Sequence, residues 1–119
     1  VRVNFDPANL AMVIGEDIPG AVRNLKDYIV HTHAKDGIML QKTDPRKIYG
    51  TFAGDIEDKL DVNEYFREVP LGEGSVDFDS YLAALREVGY NGFLTIEREV
   101  GQNPEQDIRM AVDFLKEKI

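Results

Sequence analysis

The chain has 119 residues, an ordinary length for one compact domain, and no cysteines, which excludes disulfides and thiolate metal sites. Hydrophobic residues make up 43% and charged residues 30%, as in soluble globular proteins, and no run approaches the ~20 apolar residues that span a bilayer. The formal net charge of −8 argues against binding to nucleic-acid phosphates, which requires a local excess of lysine and arginine. We therefore expect a cytoplasmic protein with neither a membrane nor a nucleic-acid partner.

The first part of the chain alternates strand-like and helix-like runs. Apolar and polar side chains alternate from Val1 to Asp6, which predicts a strand that ends at Pro7. A helix is predicted from Ile18 to Tyr28, with Asp17 as its N-cap. A second strand follows from Tyr28 to His33.

The second part of the chain begins with the least regular stretch, residues 37 to 76, which is typical of a functional or disordered loop. A helix is then predicted from the N-cap Asp77 to Val88, a third strand from Phe93 to Glu97 and a last helix from Asn103 to Ile119. This order predicts parallel strands joined by helical crossovers. Three strands are too few to close a barrel, and an open sheet would have two unprotected edges.

A polar residue ends each predicted strand: Asp6 the first, His33 the second and Glu97 the third. In parallel α/β proteins this edge carries the active site. Two carboxylates and an imidazole at one rim suit Mn²⁺, Mg²⁺, Co²⁺ or Zn²⁺. A strand-end acid is often only a cap and a strand histidine often only a core residue, so the pattern alone leaves a structural role open beside a metal site.

Four segments resemble the xylose-isomerase-like barrel superfamily, which includes tagatose and psicose 3-epimerases, hydroxypyruvate isomerase, inosose dehydratase and, more distantly, endonuclease IV. In the family's order they are V-N-F-D-P-A-N at 3–9, H-T-H-A-K-D at 31–36, P-L-G-E-G at 70–74 and G-Y-N-G-F-L-T-I-E at 89–97. The resemblance implies a TIM (βα)8 barrel. Residues 1–119 would be the C-terminal part of this single domain, supplying strands six to eight and their helices, with strands one to five absent.

The resemblance also implies roles for individual residues. Asp6, His33 and Glu97 match the family's metal ligands, and Glu97 also matches a carboxylate that exchanges a proton with the substrate carbon. Asn9 stands where the epimerases carry a substrate-contacting histidine. Arg67 stands where they carry an arginine that contacts substrate oxygens. The family's fourth ligand, a glutamate at the end of strand five, would precede residue 1.

Three more residues are candidates for the site. Lys35 could hold a phosphate or carboxylate of the substrate, and His31 could donate to a substrate or merely fill the barrel interior. Asp36 is a candidate partner for the second nitrogen of a metal-bound His33. We expect the segment between Asp36 and Pro70 to cover the site as a lid and to bring Arg67 toward the metal.

These features imply a divalent-metal-dependent isomerase or epimerase of a sugar, sugar phosphate or related polyol, acting through a metal-stabilised enediolate and carboxylate proton transfer. Three alternatives stay open. They are a lyase of the inosose-dehydratase kind, an endonuclease IV-like phosphodiesterase, for which two histidines are too few, and a non-catalytic binding module with a degenerate site. We further expect that the segment does not act alone, and that the same parent chain or a second polypeptide supplies the rest of the barrel.

Overall fold

The computed structural model describes residues 1–119, which form an α/β unit with five strands and five α-helices. The strands are β1 (Val3–Phe5), β2 (Ile29–Ala34), β3 (Asp36–Met39), β4 (Phe66–Val69) and β5 (Leu94–Ile96). The helices are α1 (Pro7–Asn9), α2 (Ile18–Leu25), α3 (Pro45–Ala53), α4 (Phe78–Glu87) and α5 (Pro104–Lys118). A π-helical turn continues α1 over Leu10–Ile14, and a 3₁₀ turn spans Val62–Glu64. None of the helices has both the length and the apolar character needed to cross a membrane.

The main sheet contains three parallel strands in the order β1-β2-β5. Strand β2 therefore lies in the centre, and β1 and β5 are the two edges. Because successive side chains of a strand point to opposite faces, His31 and His33 share one face of β2, and Thr32 and Ala34 share the other. Thr32 and Ala34 are fully buried beneath the helices, whereas the face of the histidines is partly open.

The core lies between the outer face of the sheet and the helices α2 and α4. Tyr81 of α4 is fully buried and stacks on Phe5 of β1, with the ring centroids 5.8 Å apart. Val22 of α2 is also fully buried. Each large side chain buried in this way contributes about 1.5–3 kcal/mol of hydrophobic stabilisation. Helix α5 completes the layer through Phe114, whose ring contacts Phe78 edge-on at 5.4 Å.

Several predicted helix boundaries are confirmed by their caps. The side chain of Asp77 accepts a hydrogen bond from the Ser80 amide at 3.1 Å at the start of α4. At the start of α5 the Asn103 side chain accepts from the Gln106 amide at 3.2 Å. Helix α2 is shorter than predicted and ends at Leu25. The side chains of Asp77 and Asn103 each supply an acceptor to an amide that has no partner inside its helix.

The prediction of an irregular loop over residues 37–76 is wrong. Strands β3 and β4 form an antiparallel hairpin, and α3 and the 3₁₀ turn lie between them. Gly37 of β3 leaves room for Met12 of the π-helical turn, since a Cβ there would lie 2.1 Å from Met12 Sδ. Each strand of the hairpin has only four residues, and a long insertion separates the two strands. The alternation of side chains is therefore too short to be recognised in the sequence.

Candidate functional site

The structure brings Asp6, His33 and Glu97 together at the carboxyl edge of the main sheet. Asp6 directly follows β1, His33 lies near the end of β2 and Glu97 directly follows β5. His33 Nδ1 lies 3.3 Å from Asp6 Oδ2 and 3.3 Å from Glu97 Oε2. One ligand atom from each of the three residues falls within 4.8 Å of the others, and all three side chains are partly buried. Parallel strands end at one edge, so neighbouring strands can deliver such a cluster without any local sequence proximity.

The two carboxylate oxygens of Asp6 make different contacts. Oδ1 accepts hydrogen bonds from the amides of Ala8 at 2.9 Å and Asn9 at 3.1 Å, which makes Asp6 the N-cap of α1. Oδ2 is left facing His33. The cap fixes the carboxylate in place, and the free oxygen points to the centre of the cluster.

His33 is held on three sides. Its Nδ1 faces the two carboxylates, and its Nε2 lies 3.3 Å from Nδ2 of Asn4. Its backbone carbonyl accepts a hydrogen bond from the hydroxyl of Tyr81 at 3.1 Å. Burial raises the pKa of Tyr81 far above its usual range, so the hydroxyl stays a donor. No local sequence pattern predicts that Asn4 or Tyr81 contacts His33.

The expectation that Asp36 supports His33 is wrong. Asp36 is fully buried, and Oδ1 accepts from the amides of Gly37 at 2.8 Å and Val76 at 3.0 Å. Oδ2 accepts from the amides of Gly72 and Gly74, both at 3.0 Å. Asp36 comes three residues after His33 and begins β3, so its side chain does not share the face of His33. It organises the loop from Pro70 to Val76 instead.

Lys35 is buried among carboxylates. Its ammonium group lies 3.1 Å from Glu97 Oε2 and 3.8 Å from Glu68 Oε2, and it also bonds Glu99. Burial lowers the pKa of Lys35, but the hydrogen bonds that its ammonium group donates to Glu99 and Glu97 raise it by more, so the net direction is upward. The cation expected to hold a substrate anion is thus already paired within the chain.

Glu68 anchors the hairpin to the segment that follows Glu97. Its buried carboxylate accepts from Arg98 Nη1 at 3.0 Å and from the Glu99 amide at 3.0 Å. Arg98 also donates to Asp107 of α5 at 2.7 Å. Burial lowers the pKa of Arg98, and the hydrogen bonds to Asp107 and Glu68 raise it by more, so it stays charged. Sequence analysis missed Glu68, because no local pattern distinguishes it from a solvated strand residue.

A cavity of about 640 Å³ opens above the cluster, with Asp6, His33 and Glu97 in its lining. Residues from α3, the 3₁₀ turn and β4 also line it, so the segment between Asp36 and Pro70 contributes to the same cavity. The lining from this segment includes three aromatic rings, one amide and one guanidinium: Tyr49, Phe52, Phe66, Asn63 and Arg67.

The candidate substrate-binding residues divide into two groups. Asn9, Lys35 and Arg67 line the cavity, whereas His31 does not, and its Nε2 lies 2.8 Å from Thr95 Oγ1 across the sheet. Arg67 lies on β4 opposite Ile38 and is exposed. The arginine salt bridges of the chain involve other residues, namely Arg23, Arg46, Arg98 and Arg109. Arg67 is therefore the cavity's unpaired cation.

Parallel strands, helical crossovers and a polar rim beside a cavity are features of α/β proteins, (βα)-barrels among them. It belongs to the xylose isomerase-like TIM barrel family, whose family model matches residues 1–118. This confirms the resemblance and the fold class stated from the sequence.

Individual relatives support the same assignment. The chain is 41% identical over 56 residues to the L-ribulose-5-phosphate 3-epimerase UlaE of Salmonella paratyphi C, covering 45% of this chain and 20% of the relative. It is 36% identical over 108 residues to the rhizopine catabolism protein MocC of Rhizobium meliloti, covering 89% of this chain and 30% of the relative. The crystal structure of a xylose isomerase domain protein from Planctomyces limnophilus superposes with a TM-score of 0.70 at 32% identity, covering 98% of this chain and 36% of that one. The chain thus spans about a fifth to a third of these relatives' lengths.

Proposed function

We propose that this chain is part of a divalent-metal-dependent isomerase or epimerase of a sugar, sugar phosphate or related polyol. The observation that carries the proposal is the convergence of Asp6, His33 and Glu97, with ligand atoms within 4.8 Å of one another, in the lining of the 640 Å³ cavity. A cavity of this size suits a small polar molecule. The relatives named for sugar epimerisation support the reaction class.

The three residues fit a divalent ion. Asp6 Oδ2 and Glu97 Oε2 offer carboxylate oxygens and His33 Nδ1 offers an imidazole nitrogen, a donor set that suits Mn²⁺, Mg²⁺, Co²⁺ or Zn²⁺. The three side chains are partly buried, which limits competition from water. When bound there, such an ion supplies Lewis-acid polarisation of a substrate carbonyl.

The side chains of this chain would perform the remaining tasks. Glu97 removes or returns a proton at the carbon beside the substrate carbonyl, and Lys35, 3.1 Å from Glu97 Oε2, holds that carboxylate in place. Asn9 offers an amide to substrate hydroxyls, and Arg67 offers the unpaired charge to a hydroxyl or an anionic group. The aromatic rings of Tyr49, Phe52 and Phe66, which line the cavity, would limit the access of water to the reacting carbon.

We propose that residues 1–119 supply strands six to eight of the barrel. Strands β1 and β5 are unpaired edges, and the inner face that carries Asn4 and Thr95 is exposed. Strands one to five, from the same parent chain or from a second polypeptide, would pair with both edges and cover this face. Epimerisation takes a second carboxylate on the opposite side of the substrate, and the added strands would provide it.

A solvent-exchange assay tests the proposed reaction. The whole protein, with the strands that complete the barrel, is incubated in D₂O with Mn²⁺ or Co²⁺ and with ketoses, ketose phosphates or inososes, and mass spectrometry and NMR follow the products. We expect deuterium at the carbon beside the carbonyl, with an epimer or isomer as product. A dehydrated product would indicate the lyase alternative.

Glu97→Gln keeps the shape of the side chain but removes its basicity, so exchange should fall by about 10²–10⁴-fold. Glu117→Gln, on the exposed face of α5, is the matched control and should exchange like the unaltered protein. Wild-type exchange rates in Glu97→Gln would contradict the proton-transfer role.

A further inference from the structure

The imidazole of His33 lies between groups with opposite hydrogen-bonding requirements. On one side, Nδ1 lies 3.3 Å from both Asp6 Oδ2 and Glu97 Oε2. Carboxylate oxygens only accept hydrogen bonds, so in the absence of an ion they favour a proton on Nδ1. On the other side, Nε2 lies 3.3 Å from Asn4 Nδ2, an amide nitrogen that only donates. The arrangement is therefore satisfied by the neutral tautomer that carries its proton on Nδ1.

A metal ion at this position demands the other tautomer. An ion between Asp6, His33 and Glu97 would take the Nδ1 lone pair, which leaves the single proton of the neutral ring on Nε2. The Nε2 hydrogen would then meet the Asn4 amide nitrogen, which is also a donor. One of the two groups has to change, and the imidazole is fixed by the ion.

We propose that Asn4 is a positioning residue that turns its amide over when His33 changes tautomer. A rotation of about 180° around the last side-chain bond replaces Nδ2 by Oδ1, and Oδ1 accepts from the Nε2 hydrogen. A primary amide can serve both states because it carries a donor and an acceptor at nearly the same place. This inference rests on the proposed metal site and goes beyond it, because it assigns the partner that selects the ligating nitrogen.

The surroundings of Asn4 allow this rotation. Within residues 1–119 the side chain of Asn4 forms one hydrogen bond, the bond to His33, so a turn of its amide breaks no other hydrogen bond of this segment. In the sheet register Asn4 is opposite His31, whose Nε2 is engaged by Thr95 instead. Asp6 contrasts with Asn4, since two backbone amides hold its carboxylate at the start of α1.

The identity of the side chain matters for this role. An aspartate at position 4 would only accept, so it would favour a proton on Nε2 in the metal-bound protein and also in the metal-free protein, where Asp6 and Glu97 still favour the proton on Nδ1. It would also add a negative charge near the cluster. An alanine would offer neither donor nor acceptor and would leave the ring orientation to the carboxylates. Asn4→Asp and Asn4→Ala therefore separate a tautomer effect from a simple loss of contact.

The test is long-range ¹⁵N–¹H NMR of the His33 ring in the whole protein, recorded at alkaline pH without metal and with Zn²⁺, a diamagnetic ion. We expect the unaltered protein to change from the Nδ1-protonated to the Nε2-protonated pattern when Zn²⁺ is added. Asn4→Asp should carry a proton on Nε2 in both samples. Asn4→Ala should bind Zn²⁺ about 10- to 100-fold more weakly in calorimetric titration, the usual effect of removing such a partner. Asn24→Ala, on the exposed surface of α2, is the control and should match the unaltered protein in both measurements.

The outcomes separate this inference from the proposed function. If His33 binds Zn²⁺ through Nδ1 but both Asn4 variants keep the unaltered tautomers and affinity, Asn4 has no positioning role and the metal-site proposal stands. If Zn²⁺ leaves the His33 signals unchanged in every protein, the metal site and the role of Asn4 are both overturned. If the metal-free unaltered protein already carries the Nε2 proton, the rotation is refuted.

Discussion

Replacing Asp36 by asparagine tests the finding that this carboxylate organises the loop from Pro70 to Val76 and does not support His33. Each oxygen of Asp36 accepts two amide hydrogens, Gly37 and Val76 at Oδ1, Gly72 and Gly74 at Oδ2. An asparagine has one oxygen, so in either orientation it leaves two amides without an acceptor and sets its own NH₂ group against them.

The expected loss of stability follows from these contacts. A hydrogen bond to a charged group contributes about 1.5–3 kcal/mol, so losing two of them costs about 3–6 kcal/mol. This is a large part of the roughly 5–15 kcal/mol that stabilises a typical protein. At about 2–4 °C per kcal/mol, the value for 150–250 residues, the melting temperature should fall by at least about 6 °C.

Thermal unfolding followed by circular dichroism measures this change, with Asp113→Asn on the exposed face of α5 as the control. Gly74→Ala breaks the same contact from the other side, because its Cβ would lie 2.2 Å from Asp36 Oδ1, and it should also lower the melting temperature. Metal affinity, measured well below the transition, should be unchanged in Asp36→Asn. A melting temperature within about 2 °C of the unaltered protein, or about 10-fold weaker metal binding in the folded variant, would refute this reasoning.

Two further predictions concern the cavity and the completeness of the barrel. Arg67→Ala should raise KM or lower kcat/KM by about 10-fold or more without changing metal affinity, because Arg67 lines the cavity but lies outside the ligand cluster. Its control is Arg46→Ala, which removes an exposed arginine paired with Asp44; equal kinetics in the two variants would exclude a substrate contact. Residues 1–119 expressed alone should aggregate, oligomerise or bind metal weakly, and should lack turnover, because β1 and β5 leave open edges. Gel filtration and the exchange assay check this, and a monomeric, cooperatively melting and active segment would disprove it.

Much of the fold could be predicted from the sequence because its signals are local. Alternating side chains predict β1 and β2, and the residues Asp77 and Asn103 begin α4 and α5 as ordinary N-caps. The hairpin of β3 and β4 could not be predicted in this way. Its strands are four residues long, and 26 residues lie between Met39 and Phe66, so neither periodicity nor a short turn marks the pairing.

The candidate ligands were also accessible to sequence reasoning, because Asp6, His33 and Glu97 lie at or beside the ends of strands that a parallel sheet aligns. The contacts around these ligands could not be predicted from the sequence. Lys35 donates a hydrogen bond to Glu97, which lies 62 positions further along the chain, and Arg98 donates one to Glu68, which lies 30 positions before it. The sequence by itself determined the order of the elements and the residue types at the rim, since both depend on neighbours within a few positions. Only the tertiary structure decided that Asn4 and not Asp36 faces the imidazole of His33, because a hydrogen-bond partner is selected by distance and direction in space.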